Sequence, residues 1–460
     1  MKYLILPIGI LLFFLPTIAR AESADVNIRL FDNKGEIITS FYPFGEDYRG
    51  SGSVSAEDLG DDGVPEIIVG SGPGLSPYVK IYRQDGSLIN EFIAYHETYK
   101  NGLTVTACDL EGDGTKEIVT GTMFGGGPHV RIFNAHGTTL YDGGFFAYAE
   151  AFRGGVNVAC GDIDGDGNDD IVTGAGITGG PHIKVFAPNG VMKYEIFSGS
   201  AFEDTGVTVA VGDLTGDGTS EIISGRMGVG DPTVTTFDFR RDHLSFIVAL
   251  NSFDNYENGI SVSSGDVDGD GLDEIGVSTN KHENGLIKFF ELTGATTSLI
   301  KPFTDNIQRG IASATVKNSG TDHILAMSST SINNDQIGKN IRVDVSEQKL
   351  YAFENGVLVN SFLVSTGTWS FPTPLGLTEV SDKLLYHDYV WNYGPGNPNN
   401  YALYGVKYNL RFRTHLYIHS AYWHNNFGHR MSHGCINTAL ADAEWIFNWA
   451  QVGTPVEVVE

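Results

Sequence analysis

The sequence predicts a mainly β protein in two parts, a six-bladed β-propeller over residues 24–335 and a smaller β-rich domain with one short helix over residues 338–460. Three observations predict this architecture. An acidic segment recurs five times at a nearly constant period, strand-type runs with Gly-rich turns follow each copy, and the repeat fades after about residue 316. A chain of 460 residues is also too long for one ordinary core, which favours two or more domains.

The repeat is carried by five segments that align with one another: "DLGDDGVPEI" from Asp58, "DLEGDGTKEI" from Asp109, "DIDGDGNDDI" from Asp162, "DLTGDGTSEI" from Asp213 and "DVDGDGLDEI" from Asp266. Their starts are 51, 53, 51 and 53 residues apart. Each is followed by a β-rich run such as "IIVGS", a Gly-rich loop, and a second run such as "VRIF". Short strands at such a period are typical of propeller blades rather than of helical repeats.

The number of blades follows from the second type of run, which occurs six times: "VNIRLF" at 26–31, then "VKIY", "VRIF", "IKVF", "TVTTF" and "LIKFF". A further loop, "VKNSGTDHIL" from Val316, has lost its acidic positions. The repeat region begins with a late strand and ends with early ones, so we expect its two ends to share one blade. Such closure would remove the open sheet edges.

The acidic loops predict cation sites. In the loop from Asp162, carboxylates alternate at positions one, three and five, Gly167 permits a tight turn, and another acid follows at position nine. Oxygen ligands at this spacing suit a hard cation, and Ca²⁺ is the natural candidate. The alternative is that these residues form turns without a metal; their recurrence in register favours calcium. The predicted ligands are Asp58, Asp62, Glu66, Asp109, Asp113, Glu117, Asp162, Asp164, Asp166, Asp170, Asp213, Asp217, Glu221, Asp266, Asp268, Asp270 and Glu274.

These repeats resemble the FG-GAP/VCBS repeats of integrin-like propellers, and the resemblance covers roughly two thirds of the chain. It implies a propeller stiffened by structural Ca²⁺. It also implies a role in adhesion or ligand binding rather than an enzymatic activity.

The first residues predict export. "MKYLILPIGILLFFLPTIARA" has Lys2, an apolar run, and Ala19-Arg20-Ala21 before polar sequence, which is the layout of a secretory signal peptide over residues 1–21. An uncleaved N-terminal anchor is the alternative, but the run is short for a spanning helix and Pro16 lies near its end. We therefore expect no stable membrane span after cleavage, and a protein in the periplasm or at the cell wall or extracellular face.

Charge is distributed unevenly along the chain, whose formal net charge is −27. From Gly338 to the end there are 10 acidic and 8 basic residues, which leaves 46 acidic and 21 basic residues before that point. Such an acidic first part argues against nucleic acid or anionic lipid as a partner.

Three cysteines are an odd number for an exported protein. Cys108 and Cys160 can pair, which leaves Cys435 free. The alternative is that Cys108 and Cys160 are both buried thiols, which behave as small apolar residues.

The second domain follows a polar linker, "SSTSINNDQIGKN" at 328–340. Apolar alternation in "IRVDVSEQKLYAFENGVLVNSFLVSTG" predicts a β-meander with a hairpin turn at 354–356. "HLYIHSAYW" at 415–423 predicts a strand, residues 439–451 predict a helix with Leu440, Ala443, Ile446 and Phe447 on one face, and "TPVEVV" predicts a last strand.

The segment "MSHGCIN" at 431–437 contains Cys435, which has three interpretations. A thiol nucleophile needs a nearby base or positive group, and His433 and His419 precede it by two and sixteen residues. If Cys435 lies just before the helix, the helix N-terminus would stabilise its thiolate. A zinc site with His419, His424, His429 and His433 is the second interpretation, although a set with a single Cys would be unusual. A buried, unreactive thiol is the third.

The segment "HSAYWHNNFGHRMSHGCIN" at 419–437 resembles the active-site signature of the L,D-transpeptidase (YkuD) catalytic domain. That signature is a histidine, a spacer, Ser/Thr-His-Gly-Cys, and Asn or Arg two positions beyond the Cys. The opening strands and "TPLG" at 373–376 resemble the same family, so the resemblance covers about residues 341–460.

The resemblance implies roles for six residues. Cys435 would be the nucleophile, and His419 the proton donor and acceptor, oriented in part by Ser420. His433, Gly434 and Asn437 would line the oxyanion and substrate region. No cofactor is implied for catalysis.

The resemblance therefore implies an exported peptidoglycan L,D-transpeptidase acting in cell-wall biogenesis. Cys435 would form a thioester with a tetrapeptide stem, release D-Ala, and pass the acyl group to an amine in a 3→3 cross-link. Its partners would be peptidoglycan stem peptides, with wall polymer or a protein ligand held by the propeller. Alternatives are a calcium-dependent adhesion or binding protein whose transpeptidase-like domain is inactive, an L,D-carboxypeptidase, and a protein-anchoring enzyme.

Overall fold

A computed structural model describes residues 27–46, 48, 52–123, 125–201, 203–228, 230–280, 282–283, 285–303, 308–329, 339–354, 357–391, 394 and 400–459. The expected signal peptide, most of the expected linker and most of the expected hairpin turn at 354–356 lie outside these residues.

The first part of the chain consists of short strands. They are β1 (Ile28–Phe31), β2 (Ile37–Phe41), β3 (Gly52–Glu57), β4 (Glu66–Ser71), β5 (Tyr78–Tyr82), β6 (Leu88–Ile93), β7 (Leu103–Cys108), β8 (Glu117–Thr122), β9 (His129–Phe133), β10 (Thr139–Phe146), β11 (Val156–Gly161), β12 (Asp170–Ala175), β13 (His182–Phe186), β14 (Met192–Phe197), β15 (Val207–Gly212), β16 (Glu221–Arg226), β17 (Thr233–Arg240), β18 (His243–Asn251), β19 (Ile260–Gly265), β20 (Glu274–Thr279), β21 (His282–Glu283), β22 (Ile287–Phe290), β23 (Thr296–Ile300), β24 (Gln308–Val316) and β25 (His323–Ser329).

These strands form antiparallel sheets in sequence order: β3 to β6, β7 to β10, β11 to β14, β15 to β18, and β19-β20-β22-β23. Each acidic loop joins the first strand of such a sheet to the second. The second strands are buried on both faces, as in β8, β12 and β20, whereas the fourth strands alternate with exposed residues, as in β6 and β14. The second strands therefore lie inside the structure and the fourth strands lie at its surface.

The two ends of this part share one sheet, of order β2-β1-β25-β24-β21. Ile28 of β1 pairs with Met327 of β25 in antiparallel register. The first strands of the sheets contact one another in turn, from β3 through β7, β11, β15 and β19 to β24, and β24 contacts β3. Within the described residues, the sheets thus follow one another in a closed ring.

The C-terminal part contains β26 (Lys339–Asp344), β27 (Lys349–Glu354), β28 (Val357–Leu363), β29 (Gly376–Glu379), β30 (Asp382–Trp391), β31 (Tyr401–Arg413), β32 (Leu416–Ser420), β33 (Ile436–Thr438), helix α1 (Leu440–Trp449) and β34 (Pro455–Val459). One sheet has the order β28-β27-β26-β34-β29 and the other the order β30-β31-β32-β33. Their apolar faces and α1 enclose a core that includes Val343, Leu410, Ile418, Ile436 and Ile446.

Helix α1 covers this core with Ala443 and Ile446, which are fully buried. Leu440, which the sequence places on the same face of the helix, is 53% exposed. Lys339 donates from Nζ to the Trp449 carbonyl oxygen at 3.0 Å. A cation at this position satisfies an orphan carbonyl and complements the negative end of the helix dipole.

The helix in the described part of the chain is not long and apolar enough to cross a membrane.

A disulfide joins Cys108 at the end of β7 to Cys160 in β11, at a sequence separation of 52. It links two neighbouring sheets of the ring, which resolves the pairing that the cysteine count left open. Closing a loop of 52 residues in the unfolded chain stabilises the native state by about 4 kcal/mol in the chain-entropy model.

The double variant Cys108→Ser/Cys160→Ser is expected to melt at a lower temperature than the wild type, because its unfolded chain regains that loop entropy. Differential scanning calorimetry with and without dithiothreitol checks this. Reduction should lower the Tm of the wild type and of Cys435→Ala to the same extent, and should leave the double variant unchanged. An equal Tm for the wild type and the double variant would contradict the prediction.

Candidate active site and cation loops

Two short parallel strands hold the candidate active site. β32 pairs with β33 so that Ile418 lies opposite Ile436 and His419 opposite Asn437. Side chains alternate between the two faces of a strand. Because Ile418 and Ile436 point into the core, His419 and Asn437 face the other side. Cys435 directly precedes β33 and packs against Tyr389, whose ring also contacts His419.

The Cys435 thiol is half-buried against Tyr389 and Tyr417. Its Sγ donates to the His415 carbonyl oxygen at 3.9 Å, and among the described residues no hydrogen bond joins it to His419. Burial raises the pKa of the thiol to about 12, against a smaller lowering by the Tyr417 backbone. The resting side chain is therefore a neutral thiol.

The His419 ring is 3% exposed and packs 4.8 Å from the Tyr389 ring, measured between centroids. Its Nδ1 lies 3.0 Å from the Ser420 carbonyl oxygen. A carbonyl only accepts, so Nδ1 carries the proton and Nε2 is the free base nitrogen. Burial lowers the pKa of His419 to about 4, which keeps the ring neutral.

Ser420 contacts His419 through its backbone rather than through its hydroxyl. The hydroxyl donates to the Lys407 carbonyl oxygen at 2.9 Å and so ties β32 to β31. Any orienting effect of Ser420 on the imidazole therefore comes from the main chain.

Gly434 shapes the loop before the thiol. Its φ is +111°, and a Cβ there would lie 3.1 Å from Leu416 Cδ2, so this position favours glycine. The Gly434 N–H donates to Ser432 Oγ at 3.1 Å. Its carbonyl accepts from Thr373 Oγ1 at 2.9 Å, while the same Oγ1 accepts the Gly367 N–H at 2.9 Å. Thr373 was missed as a site residue; the "TPLG" turn that begins with it was the available signal.

His433 is exposed, and its ring lies between those of Phe371 and Tyr401, at centroid distances of 4.6 and 4.9 Å. Asn437 is 2% exposed, and its side-chain amide lies 3.1 Å from Nε2 of His424. The three histidines of the site thus have different surroundings: His419 is buried, His424 contacts the Asn437 side chain, and His433 is exposed.

Helix α1 does not begin at Cys435. It starts at Leu440, and β33 separates it from the thiol. The helix dipole acts within the first turn, so it does not stabilise a Cys435 thiolate.

A cavity of about 220 Å³ lies beside the thiol. Tyr389 and Tyr417 line it and also pack against Cys435, and His415 contributes both to its wall and to the hydrogen bond of the thiol. The remaining lining residues are His387, Asp388, Val390 and Trp391.

The acidic loops of the ring are shaped by their own hydrogen bonds. The first aspartate of each loop accepts backbone N–H groups of the same loop, as when Asp266 accepts those of Gly269 and Gly271 at 2.6 and 3.0 Å. The same is true of Asp58, Asp109, Asp162 and Asp213. The position-five residues accept the N–H two positions on: Asp62, Asp113, Asp166, Asp217 and Asp270. Part of each acidic set therefore forms the turn itself.

Two loops bring carboxylate oxygens together within 4.8 Å, one through Asp162, Asp164 and Asp166, the other through Asp266, Asp268 and Glu274. Among the described residues, the histidines around Cys435 form no such group. The loop from Asp266 offers only carboxylate oxygens in this group, and these are the ligands that a hard cation prefers.

The loop from Asp162 already holds a cation of the chain itself. Lys193 Nζ lies 2.6 Å from Asp164 Oδ2, 2.8 Å from Asp170 Oδ1 and 3.6 Å from Asp166 Oδ2. Tyr194 also donates to Asp164, at 2.9 Å. The ammonium therefore competes with Ca²⁺ for these carboxylates. Asp164 Oδ1 and Asp170 Oδ2 are buried and have no hydrogen-bond partner among the described residues.

The loop that contacts Lys193 also differs from the other four in the length of its acid at position nine. At position nine, four loops have a glutamate whose Oε2 accepts the N–H of the second loop residue: Glu66 from Leu59, Glu117 from Leu110, Glu221 from Leu214 and Glu274 from Val267. Asp170 is shorter by one methylene and instead accepts from Lys193. The shorter acid and the lysine therefore form a matched pair.

Residues 338–458 match the family described as the YkuD L,D-transpeptidase catalytic domain. L,D-transpeptidase 1 of Mycobacterium tuberculosis is 32% identical over 120 residues, which are 25% of this chain and 48% of that protein. Probable L,D-transpeptidase 3 of the same organism is 34% identical over 113 residues, 23% of this chain and 40% of that protein. The chain thus spans about half, or less, of the length of these curated relatives.

Among solved structures, a crystal structure of L,D-transpeptidase 3 from Mycobacterium tuberculosis is 21% identical. The alignment covers 33% of this chain and 79% of that chain, with a TM-score of 0.26. The C-terminal β domain that carries Cys435 is YkuD-like.

Replacement of Lys193 by Met is expected to create a calcium requirement, because it leaves Asp164 and Asp170 without their buried counter-charge, a loss of about 3 kcal/mol. In chelator the variant should melt below the wild type, and millimolar Ca²⁺ should restore it with one more bound ion per chain. Calorimetry and calcium titration measure this. Lys184→Met, whose lysine lies 4.0 Å from Glu195, is the control. Equal calcium stoichiometry and Tm response in Lys193→Met and wild type would contradict the interpretation.

Proposed function

We propose that this protein is an exported peptidoglycan L,D-transpeptidase that forms an acyl-enzyme thioester at Cys435. The observation that supports this most directly is the pairing of β32 with β33, which puts His419 and Asn437 on one face of a sheet with Cys435 directly before β33. The match of residues 338–458 to L,D-transpeptidase catalytic domains supports the same reaction class.

In the proposed first step, the Cys435 sulfur attacks the carbonyl carbon of the third residue of a tetrapeptide stem, and the thiol proton passes to Nε2 of His419. The bond from that carbon to the D-Ala nitrogen then breaks, and the imidazolium returns the proton to the leaving amine. D-Ala leaves, and the stem remains bound as a thioester. The Nδ1 contact with the Ser420 carbonyl suits His419 to this role because it leaves Nε2 unprotonated.

In the second step, an amine of another stem attacks the thioester carbonyl. His419 takes a proton from the attacking nitrogen and passes it to the departing sulfur, which regenerates the thiol. The product is a 3→3 cross-link. Water in place of the amine would make the protein an L,D-carboxypeptidase, and a protein amine would make it an anchoring enzyme.

The remaining site residues take different parts in the proposal. Asn437 suits the oxyanion and substrate region because it is buried opposite His419 and one polar atom of its side chain has no partner among the described residues. The Gly434 N–H is bonded to Ser432, so we assign Gly434 to shaping the loop. His433 is exposed, which suits contact with substrate.

We further propose that the ring of sheets over residues 24–335 is a six-bladed β-propeller of the FG-GAP/VCBS type, joined by the linker at 328–340 to a catalytic domain over 338–460. Its role would be to hold the enzyme on wall polymer or a protein ligand. The contact of β24 with β3 and the sheet shared by β1 and β25 support a closed propeller. Structural Ca²⁺ is proposed for the loop from Asp266, where three carboxylate oxygens lie within 4.8 Å of one another; the loops from Asp58, Asp109 and Asp213 form no such group among the described residues.

Export is part of the proposal. The signal-type sequence at 1–21 supports it, and so does the Cys108–Cys160 disulfide, because disulfides persist in oxidising compartments outside the cytosol.

The activity is tested by incubating the mature protein with tetrapeptide muropeptides and following D-Ala release and the thioester adduct by mass spectrometry. The wild type should release D-Ala and carry the adduct at Cys435. Cys435→Ala should do neither. His419→Gln should retain the fold but lose at least about a hundredfold in rate, because proton transfer contributes that much or more.

Three outcomes separate the candidate functions. Dimers linked 3→3 support a transpeptidase, and tripeptide alone supports a carboxypeptidase. Equal D-Ala release by wild type and Cys435→Ala would contradict the enzymatic proposal and favour an adhesion or binding protein with an inactive domain.

The pH dependence of kcat/KM follows from the burial of His419. The base must be unprotonated, and burial lowers its pKa to about 4, so it stays competent well below the ordinary range of histidine. We expect a flat profile from about pH 5 to about pH 8 and an acid limb below it. Stopped assays of D-Ala release over this range, with circular dichroism to verify folding, check it. An acid limb centred near about pH 6.5 would contradict a buried neutral base.

A further inference from the structure

The two terminal atoms of the Asn437 side chain differ in their hydrogen bonding. Of its two terminal atoms, Nδ2 as placed lies 3.1 Å from Nε2 of His424. The other, Oδ1, is buried and has no hydrogen-bond partner among the described residues. An amide oxygen and an amide nitrogen differ little in size, so the hydrogen-bond network must decide which atom faces His424.

The backbone of Asn426 fixes the tautomer of His424. Its N–H donates to Nδ1 of His424 at 3.2 Å. A backbone N–H only donates, so Nδ1 must offer its lone pair. Burial lowers the pKa of His424, which keeps the ring neutral with a single N–H. That N–H is therefore on Nε2.

The tautomer in turn fixes the amide of Asn437. Nε2–H is a donor, and at 3.1 Å it needs an acceptor opposite it. The Asn437 oxygen therefore faces His424, and the NH₂ group takes the buried position at which no donor of the described residues reaches the oxygen. This position now holds a donor.

The unpartnered donor lies in the strand that directly follows the thiol. Asn437 follows Cys435 by two residues, and in the strand register it lies opposite His419. A buried donor without a partner loses the hydrogen bonds that water would give it, so an oxygen acceptor that enters the site gains the full interaction. An ammonium group, which only donates, gains nothing there.

We propose that His424 is a positioning residue that holds the Asn437 amide with its NH₂ toward the substrate, where it donates to a carbonyl or carboxylate oxygen of the acyl donor. The proposal rests on the proposed function for the identity of that ligand, but the tautomer and the amide orientation do not depend on it. His424 acts through Asn437 and does not touch the reacting atoms.

The test compares His424→Gln with His424→Leu. Gln can accept from the Asn426 N–H and donate to Asn437, whereas Leu can do neither. Loss of one oriented donor to substrate costs about tenfold, so His424→Leu should lower kcat/KM for D-Ala release by about that factor, and Gln should restore most of it. His429→Leu, which changes an exposed histidine of the same loop, should match the wild type. Equal kcat/KM in His424→Leu and wild type, or Gln no better than Leu, would overturn the proposal.

A second measurement needs no substrate. Long-range ¹H–¹⁵N correlation of ¹⁵N-histidine-labelled protein, assigned with His424→Gln, should show the Nε2–H tautomer at His424 near neutral pH. An Nδ1–H tautomer would overturn the proposal whatever the activity. If the wild type releases no D-Ala while the Nε2–H tautomer is present, the proposed function fails and the amide orientation stands.

Discussion

The position of every site residue depends on the short strand β33. It is held on one side by parallel pairing with β32, with His419 opposite Asn437. On its other side, the Asn437 backbone exchanges two hydrogen bonds of 2.9 Å with Ser365. Since side chains alternate along a strand, a register shift of one residue would turn Ile436 out of the core and Asn437 into it. The core around Ile418 and Ile436 therefore enforces the arrangement of the site.

Local patterns predicted the parts of this site that lie close together in sequence. Alternation in "HLYIHS" predicted a strand that ends near His419, and "SHGC" predicted the thiol. Thr373 and Gly434 are 61 residues apart in sequence, and no periodic pattern predicts their contact. It could be identified only from the structure. The same holds for Ser420, whose residue type suggested a hydroxyl partner, whereas its backbone carbonyl meets the imidazole. Leu440 matched the helical period but is 53% exposed in the first turn of the helix.

The acidic loops show how one sequence motif can carry two kinds of chemistry. All five loops share the first aspartate and the turn that it forms. The regular spacing of these loops in the sequence was therefore enough to predict the sheets. Their difference depends on one methylene at position nine and on Lys193, which follows Asp170 by 23 residues. A glutamate reaches back to the loop backbone, and an aspartate does not. The Lys193 ammonium lies among the carboxylates because β14 packs beside the loop. This contact can be seen only in the structure.

Burial has opposite effects on the two reacting groups, because it disfavours the charged form of each. The pKa of the Cys435 thiol rises to about 12 and that of His419 falls to about 4. A preformed thiolate–imidazolium pair would then cost on the order of 10 kcal/mol before any gain from their mutual attraction. In the proposed reaction the proton must therefore move as the carbon–sulfur bond forms, when negative charge passes to the carbonyl oxygen. A hydrogen-bond donor held near that oxygen, as inferred for the Asn437 NH₂ group, stabilises this negative charge, which the buried site otherwise disfavours.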